Sequence, residues 1–586
     1  MKKSFIKKLA VMLAALTMLS GLAGCNSDKD TSSANNSGST ESSASSVSTD
    51  GDSADASTTG AVTAPGTFPI TEEKQEFTIM LPQYSSLNPE EAWVTPEYEE
   101  KTNVKINWTV IPSDGWHDRV AISFAGGDMP DVIAGMDTLN ITPTEELQYA
   151  SQGLLMPLND IIDRNSVELK NIMDENPQIR KLVSQDDGEI YSLPGLAVCY
   201  HCNYSQKMFI NTTWLDNLGL DMPKTTDEYY EVLKKFKEED ANGNGDANDE
   251  IPLITSTDGW HVDLDGFLMC GFIYSDPDTK MAVEDGELIF TPIQDGYREG
   301  LRYLNKLYTE GLLSPESFTN DEPTNTRMNV ANGDNAVIGS YPFAYQNYTS
   351  DTEIWKQYDI LPPLEGPDGF VTTPNYSLTR DVIRGNFAIT KNAKNPDLIM
   401  RWVDYFYGEE GTMFRLGREG TDWRKAEPGE LDFNGDPAAY TLLKLDESDP
   451  YYVTEGTYNI DWTQNIPVNY SKKYRESAVA AQDFRDPDIA NGTEIQLFQG
   501  TKAYEAVART ADESIPGLTV PADQISDYSR IKTEIESYCK DSMVQFITGS
   551  MSLDNDWDSF KAQLDQLGLE EYMKLSNEAY QNFLNR

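Results

Sequence analysis

From Glu76 onward the chain alternates short apolar runs with helix-forming stretches, and this alternation limits the fold more than any other feature. Glu76-Phe77-Thr78-Ile79-Met80-Leu81 reads as a strand that ends at Pro82. A helical stretch through Trp93 and Tyr98 leads to a second strand, Val104 to Val110. A further helix leads into the loop Gly126-Gly127-Asp128-Met129-Pro130-Asp131, which feeds a third strand at Val132-Ile133. Strands and helices alternating at this spacing predict an α/β sandwich with substantially parallel strands. In such sheets ligands sit beyond the carboxyl ends of the strands. That puts Gln83, Tyr84 and the Gly127-Asp128 loop on a predicted ligand rim. The same glycines also read as a tight turn needing positive φ. At 586 residues the chain is too long for one ordinary core, so two or more domains are expected.

The N-terminus precedes this body and has its own logic. Lys2, Lys3, Lys7 and Lys8 form a positive start, and Leu9 to Leu19 is apolar but short for a bilayer span. Leu22-Ala23-Gly24-Cys25 closes the segment and looks like a bacterial lipobox. Residues 1–24 therefore read as a secretion signal, with Cys25 diacylated and first in the mature chain. Two acyl chains hold durably where one binds marginally. From Asn26 to about Thr67 the composition is Ser, Thr, Asn, Asp, Gly and Ala, which cannot bury enough surface to fold and reads as a flexible tether over 25–67. The expected address is the outer face of the cytoplasmic membrane, by a lipid anchor.

Charge removes other partners. With 46 Lys+Arg against 96 Asp+Glu, the net charge is −50, which repels phosphodiester backbones and anionic lipid heads. Nucleic acid is excluded as a partner. The spacing Cys199-Tyr200-His201-Cys202 resembles a CxxC, but no second ligand pair accompanies it and it follows an extended run rather than opening a helix. Buried thiols or a single disulfide are expected among Cys199, Cys202, Cys270 and Cys539.

The sharpest local chemistry runs from Asp240 to Glu250. Asp240, Asn242, Asn244, Asp246 and Asn248 put oxygens at positions 1, 3, 5, 7 and 9, with Gly245 at the turn position, which is the ligand spacing of an EF-hand loop. Position 12 is Ile251, so Glu250, aided by Asp249, must close the shell. The expected ion is calcium in a structural role.

Several segments carry a family resemblance in order along the chain. They include Ala125-Gly126-Gly127-Asp128-Met129-Pro130-Asp131-Val132, Gly153-Leu154-Leu155-Met156-Pro157-Leu158 and Asp187-Gly188-Glu189-Ile190-Tyr191-Ser192-Leu193-Pro194. Further on come Phe209-Ile210-Asn211-Thr212-Thr213-Trp214-Leu215, Ala388-Ile389-Thr390-Lys391-Asn392-Ala393-Lys394-Asn395-Pro396, and Tyr407-Gly408-Glu409-Glu410-Gly411 running to Glu419-Gly420-Thr421-Asp422-Trp423. The chain resembles family 1 extracellular solute-binding proteins, the ligand receptors of ABC importers, and among them the long alginate- and oligosaccharide-binding lipoproteins. The resemblance implies a two-lobed, periplasmic-binding-protein-like (type II) α/β fold with a hinge and an interlobe ligand cleft. It implies lobes of 68–200 plus 372–425 and 201–371 plus 426–586. It also implies calcium at the Asp240–Glu250 loop, an oligosaccharide ligand, ABC permease subunits as partners, and action as a monomer.

A sugar cleft needs flat apolar faces with amides and carboxylates for the hydroxyls. Tyr200 and His201 lie at the first expected crossing, Trp260 and His261 in the loop after the calcium segment, and Tyr341 and Phe343 after a strand. Asn375 and Tyr376 precede the second crossing, and Trp423 closes its motif. Trp214 and Trp402 are assigned to the core. The negative body argues against a polyuronate unless the cleft carries local positives such as Arg298, Arg327, Arg384 or Arg424. An enzyme is disfavoured: no Gly-x-Ser-x-Gly elbow, His-Glu-x-x-His or phosphate loop occurs, and histidines number three. A lipoprotein of the same fold that presents its ligand to a sensor, or serves adhesion, is the alternative.

Overall fold

The computed structural model describes residues 61–585, apart from 84–87, 136–138, 198, 334, 350–352, 377–380, 444–446, 455–456, 461, 463–468, 471, 481–484, 486–491, 511–512 and 522. The expectations for Cys25, Tyr84 and the tether before residue 61 lie outside the described residues. The folded body starts earlier than composition suggests. Val62 bridges Thr71, Thr63 N–H donates to Ile70 O at 2.8 Å, and Arg401 donates to the carbonyls of Ala64 and Thr67. A buried guanidinium thus recruits a stretch that has little apolar side chain of its own.

Strands β1 (Gln75–Gln83), β2 (Val104–Pro112), β3 (Val132–Ala134) and β4 (Leu193–Ala197) open the first lobe. β1 is buried from Ile79 to Pro82, as expected of a strand covered on both faces. It pairs in parallel with β2 and β3. The Asp131 carboxylate accepts from Thr78 N and Oγ1 at 2.8 and 2.7 Å, fixing the start of β3 against β1. The chain then crosses to β5 (Met208–Asn211), β6 (Ile251–Leu253), the hairpin β7 (Met281–Glu284) and β8 (Glu287–Phe290), β9 (Ile338–Pro342) and β10 (Tyr358–Leu361). A second crossing returns it to β11 (Val382–Ile389). There follow the pair β12 (Trp423–Lys425) and β13 (Tyr440–Leu442), the pair β14 (Tyr452–Thr454) and β15 (Thr457–Tyr458), and β16 (Asn469–Tyr470).

Two main sheets result, in the orders β16-β4-β11-β3-β1-β2 and β10-β5-β9-β6. Each has its own core. Trp402, Phe77, Ile79 and Trp462 pack in the first; Trp214, Phe209, Tyr341 and Phe236 pack in the second. Trp402 and Trp214 are fully buried, as expected.

The lobe boundary at 426 needs correction. β16 pairs with β4 in the first sheet, Trp93 and Val94 donate to Asn459 and Ile460, and Trp462 stacks on Trp402. The described residues Asn459, Ile460, Trp462, Asn469 and Tyr470 therefore belong with the first lobe. The chain rejoins the second at the helix Gly492–Glu505, whose Gln496 and Tyr504 side chains donate to the carbonyls of Tyr358 and Leu361. Composition misses this because β12 to β16 are only two or three residues long, and β16, which ties the stretch to the first sheet, pairs at long range with β4.

Three segments consequently run between the lobes. Tyr376 N–H donates to Asn203 O at 2.9 Å, joining the first crossing to the second. The Ser514 hydroxyl donates to Asn375 O, and Thr373 bridges Ala508, joining the second crossing to the segment that follows the helix Gly492–Glu505. The C-terminal helices Ile525–Thr548, Trp557–Leu567 and Leu569–Asn585 cover the second lobe, where Asn305 donates to Phe546 O and Ile547 O.

Candidate functional site

Strand direction locates the cleft. β6 and β9 run in parallel, and β5 runs antiparallel to β9 with Met208 opposite Pro342. The loops after β6 and β9 and the end of the first crossing therefore lie at one edge of the second sheet. In the first sheet, the carboxyl ends of β1 to β4 and the start of β11 share the edge from which the first crossing leaves and to which the second returns. Those two edges bound the space between the lobes.

On the second-lobe edge, Trp260 is 38% exposed and Tyr345 39% exposed, with ring centroids 6.2 Å apart. Their loops are tied by Ala344 N–H donating to Trp260 O at 3.0 Å. The Trp260 loop depends on unusual backbone. Gly259 has φ +122°, and a side chain there would meet Val262 and Phe343 at 2.8 and 2.9 Å. His261 also has positive φ, +61°, an uncommon conformation for a residue with a Cβ. Its ring explains why it is held there. Ser205 Oγ lies 2.8 Å from Nε2, and Gln206 Nε2 donates to Nδ1. Gln206 also donates to the Tyr376 hydroxyl at 3.3 Å, and the rings of His261 and Tyr376 stack at 5.7 Å. Trp260, His261 and Tyr376 thus form a continuous strip from the exposed edge into the hinge.

The first crossing is polar and dense. Tyr200 donates to Glu505 at 2.7 Å, and burial together with that carboxylate pushes the phenol well above its usual range. His201 Nε2 lies 3.0 Å from Glu494, which Arg475 Nε also reaches at 2.9 Å. Burial pushes His201 down against the pull of Glu494. Burial pushes Glu494 up, but the bond to His201 and the Arg475 charge outweigh it and leave the carboxyl well below its usual range. Lys207 is fully buried and donates to His201 O and Tyr204 O; burial brings its pKa down to about 7, with Glu494 opposing.

Of the residues expected in the site, Trp260, Tyr200, His201, Asn375 and Tyr376 meet at this edge and hinge, and Gln83 is exposed at the carboxyl end of β1. Others need correction. Asp128 is exposed but precedes β3, at the opposite end of the first sheet from the crossings, because the helix Trp116–Gly126 carries the chain back before β3 begins. Gly127 there has φ +71°, the turn role foreseen for it. Tyr341 is wholly buried because β9 is an interior strand between β5 and β6, and its ring stacks on Phe209. Phe343 is equally buried, beneath Tyr345 and Tyr348. Trp423 is 7% exposed, packed with Tyr440, and donates its indole N–H to Gly417 O. Sequence reasoning missed Tyr345, Gln206 and Ser205; the run Tyr341-Pro342-Phe343-Ala344-Tyr345 marks the first, once the strand is known to extend through Pro342. A cavity of about 980 Å³ lies elsewhere, at the amino end of β1 near Thr63, Glu72 and Lys394.

The Asp240–Glu250 loop lies between the helix Thr226–Glu238 and β6, which begins at Ile251, so position 12 is already strand. Glu250 Oε1 accepts from Ala241 N at 2.9 Å, and Asp240 Oδ2 accepts from Gly245 N at 2.9 Å. The other oxygens of these two carboxylates, Asp240 Oδ1 and Glu250 Oε2, are buried without hydrogen-bond partners. Asp249 accepts from the side-chain amides of Asn242 and Asn244 at 3.0 and 2.7 Å. Burial, helped by Asp249, pushes Glu250 above the ordinary carboxylate range. A hard cation would satisfy both orphaned oxygens, so the donor set fits calcium.

Comparison with known proteins agrees with this architecture. The fructooligosaccharide ABC transporter substrate-binding protein FusA of Streptococcus pneumoniae serotype 4 is 28% identical over 541 residues, covering 88% of this chain and 92% of the relative. A solved S. pneumoniae FusA EF-hand mutant with fructo-nystose is 25% identical, with TM-score 0.69 over 87% of this chain and 99% of that one. An HMO-binding, ABC-transporter-associated solute-binding protein from Bifidobacterium longum infantis gives TM-score 0.70 at 23% identity, over 87% and 99%. Among the described residues no helix is long and apolar enough to cross a membrane. The family model for bacterial extracellular solute-binding proteins matches residues 84–413, more than half of the sequence, and the chain belongs to that family.

Proposed function

We propose that this protein captures a neutral oligosaccharide between its lobes and delivers it to the permease of an ABC importer. The observation that carries this reading is the exposed Trp260–Tyr345 pair at the edge where the crossings enter. Adjacent ring faces supply the apolar contact that sugar rings need, and they are costly to leave in water otherwise. The charge around them favours a neutral ligand. Asp258 accepts from Glu322 N–H, and Glu322 accepts from Asn347, so two carboxylates flank the platform. Arg384 is committed to Glu146, Arg424 to Glu430 and Arg298 to Leu553 O, while Arg327 is exposed and donates to Thr324. A polyuronate would meet like charge here. FusA's fructooligosaccharides support a neutral ligand class by relationship.

The three crossings supply the hinge, and the protein catalyses nothing. Calcium held by Asp240, Asn242, Asn244, Asp246, Asn248, Asp249 and Glu250 stabilises the second lobe. Cys25, diacylated, keeps a monomeric receptor at the outer membrane face, beside its transporter. A thermal-shift screen with calcium present tests the ligand class. Neutral oligosaccharides should raise Tm in a saturable way; stabilisation by oligouronates alone would overturn the reading.

A further inference from the structure

The first crossing holds a cysteine pair that the reading above does not use. Cys199 and Cys202 form a disulfide with Cα atoms 5.1 Å apart. Cys199 is buried and Cys202 half-buried, which makes Cys202 the more accessible residue of the pair. Between them, His201 turns Nδ1 toward Cys202 Sγ at 3.9 Å, while Nε2 sits 3.0 Å from Glu494 Oε1. A carboxylate on one imidazole nitrogen holds the proton there and leaves the lone pair on the other. With the proton on Nε2, which Arg475 Nη2 also approaches at 3.3 Å, the Nδ1 lone pair faces the sulfur. The donor atoms of all three residues lie within 4.8 Å of one another.

We propose that reduction of the Cys199–Cys202 disulfide turns the first crossing into a Cys₂His site for a thiophilic divalent cation such as zinc(II). With metal–sulfur and metal–nitrogen bonds of about 2.3 and 2.0 Å, tetrahedral ligation separates nitrogen from sulfur by about 3.5 Å. The observed 3.9 Å needs only a small adjustment. The sulfurs must part to about 3.8 Å, which rotation about a Cα–Cβ bond supplies.

The reductant is a dithiol. One of its thiolates attacks Cys202 Sγ and breaks the Sγ–Sγ bond, its second thiol resolves the mixed disulfide, and it leaves as its own disulfide after giving up two electrons and two protons. The cation then displaces the two cysteine protons and binds both thiolates and His201 Nδ1, with water in the fourth position. Asn203, next to the pair, donates to Asp381 at 3.1 Å and accepts from Tyr376 N–H, so a change in this turn is passed directly to the second crossing.

The test uses the whole exported body, loaded with calcium to fill the other loop. Half is left oxidised and half is reduced on an immobilised dithiol, and both are titrated with cobalt(II) without oxygen. The reduced protein should take up one cobalt(II) with a sulfur-to-metal absorption band that zinc(II) removes, and the oxidised protein should show no band. H201A should weaken uptake at least tenfold, and C199S/C202S should abolish the band. No band in the reduced protein, equal uptake in both forms, or a band surviving in C199S/C202S through Cys270 or Cys539 would each overturn the proposal. The comparison of oxidised with reduced parent decides the matter even if a variant fails to fold.

Discussion

Removing calcium should destabilise the second lobe, and neutralising Glu250 should remove that sensitivity. Asp240 Oδ1 and Glu250 Oε2 are buried without partners, so the ion-free loop holds two uncompensated carboxylate oxygens. With calcium at a hundred times its dissociation constant, linkage stabilises the folded state by about 2.7 kcal/mol. For a lobe of roughly 300 residues, at about 2.1 cal/mol/K of melting entropy per residue, chelation then lowers Tm by about 4 °C. E250Q should behave oppositely in the two states: less stable than the parent with calcium, and as stable or more so with chelator. The pH dependence follows from the direction of the shift. Glu250 is raised in the folded, ion-free protein, so its contribution is complete below the ordinary carboxylate pKa and is lost as pH rises through the raised value. The chelated parent should therefore lose stability on going from pH 4 upward, by a margin that E250Q lacks. Scanning calorimetry with and without chelator across that range is the assay. An unchanged Tm on chelation, or an E250Q variant as calcium-sensitive as its parent, would refute the reasoning.

Three further outcomes are expected. W423A should cost about 3 kcal/mol, as for a buried aromatic truncated to a cavity, yet leave ligand affinity within a few-fold, by denaturant melts and titration; a complete loss of binding in a folded variant would return Trp423 to the site. R384A leaves the buried Glu146 carboxylate without its cation, and should destabilise the first lobe by about 3–5 kcal/mol, read by denaturant unfolding. Asp276 is buried, with burial and Asp278 raising it to about 6; its contribution is lost as pH rises through that value, so D276N should be neutral to stabilising at pH 7 and show a smaller loss between pH 4 and 7.

The parts legible in the sequence are local. The β1-helix-β2 pattern, the oxygen spacing from Asp240 to Glu250, and the core roles of Trp214 and Trp402 follow from neighbours along the chain. What was not legible depends on direction and distance. Asp128 looked like a rim residue because its glycine loop adjoins a strand, but only the sheet shows that it meets the amino end. Tyr341 and Phe343 looked like sugar-stacking rings because aromatics follow an apolar run; β9 extends through Pro342 and lies inside the sheet, which passes that role to Tyr345. The third crossing was hidden because β16 joins β4, from Asn469 back to Leu196, far beyond any local pattern.

The central claim is that Trp260 and Tyr345 hold a neutral sugar between the lobes. Calorimetric titration of the calcium-loaded body with the best neutral oligosaccharide from the screen tests it, with parent and W260A/Y345A compared. The account predicts one site per chain in the parent and at least a hundredfold weaker binding in the variant, with its melting temperature nearly unchanged, since both rings are already more than a third exposed. Equal affinity in the two proteins would contradict it.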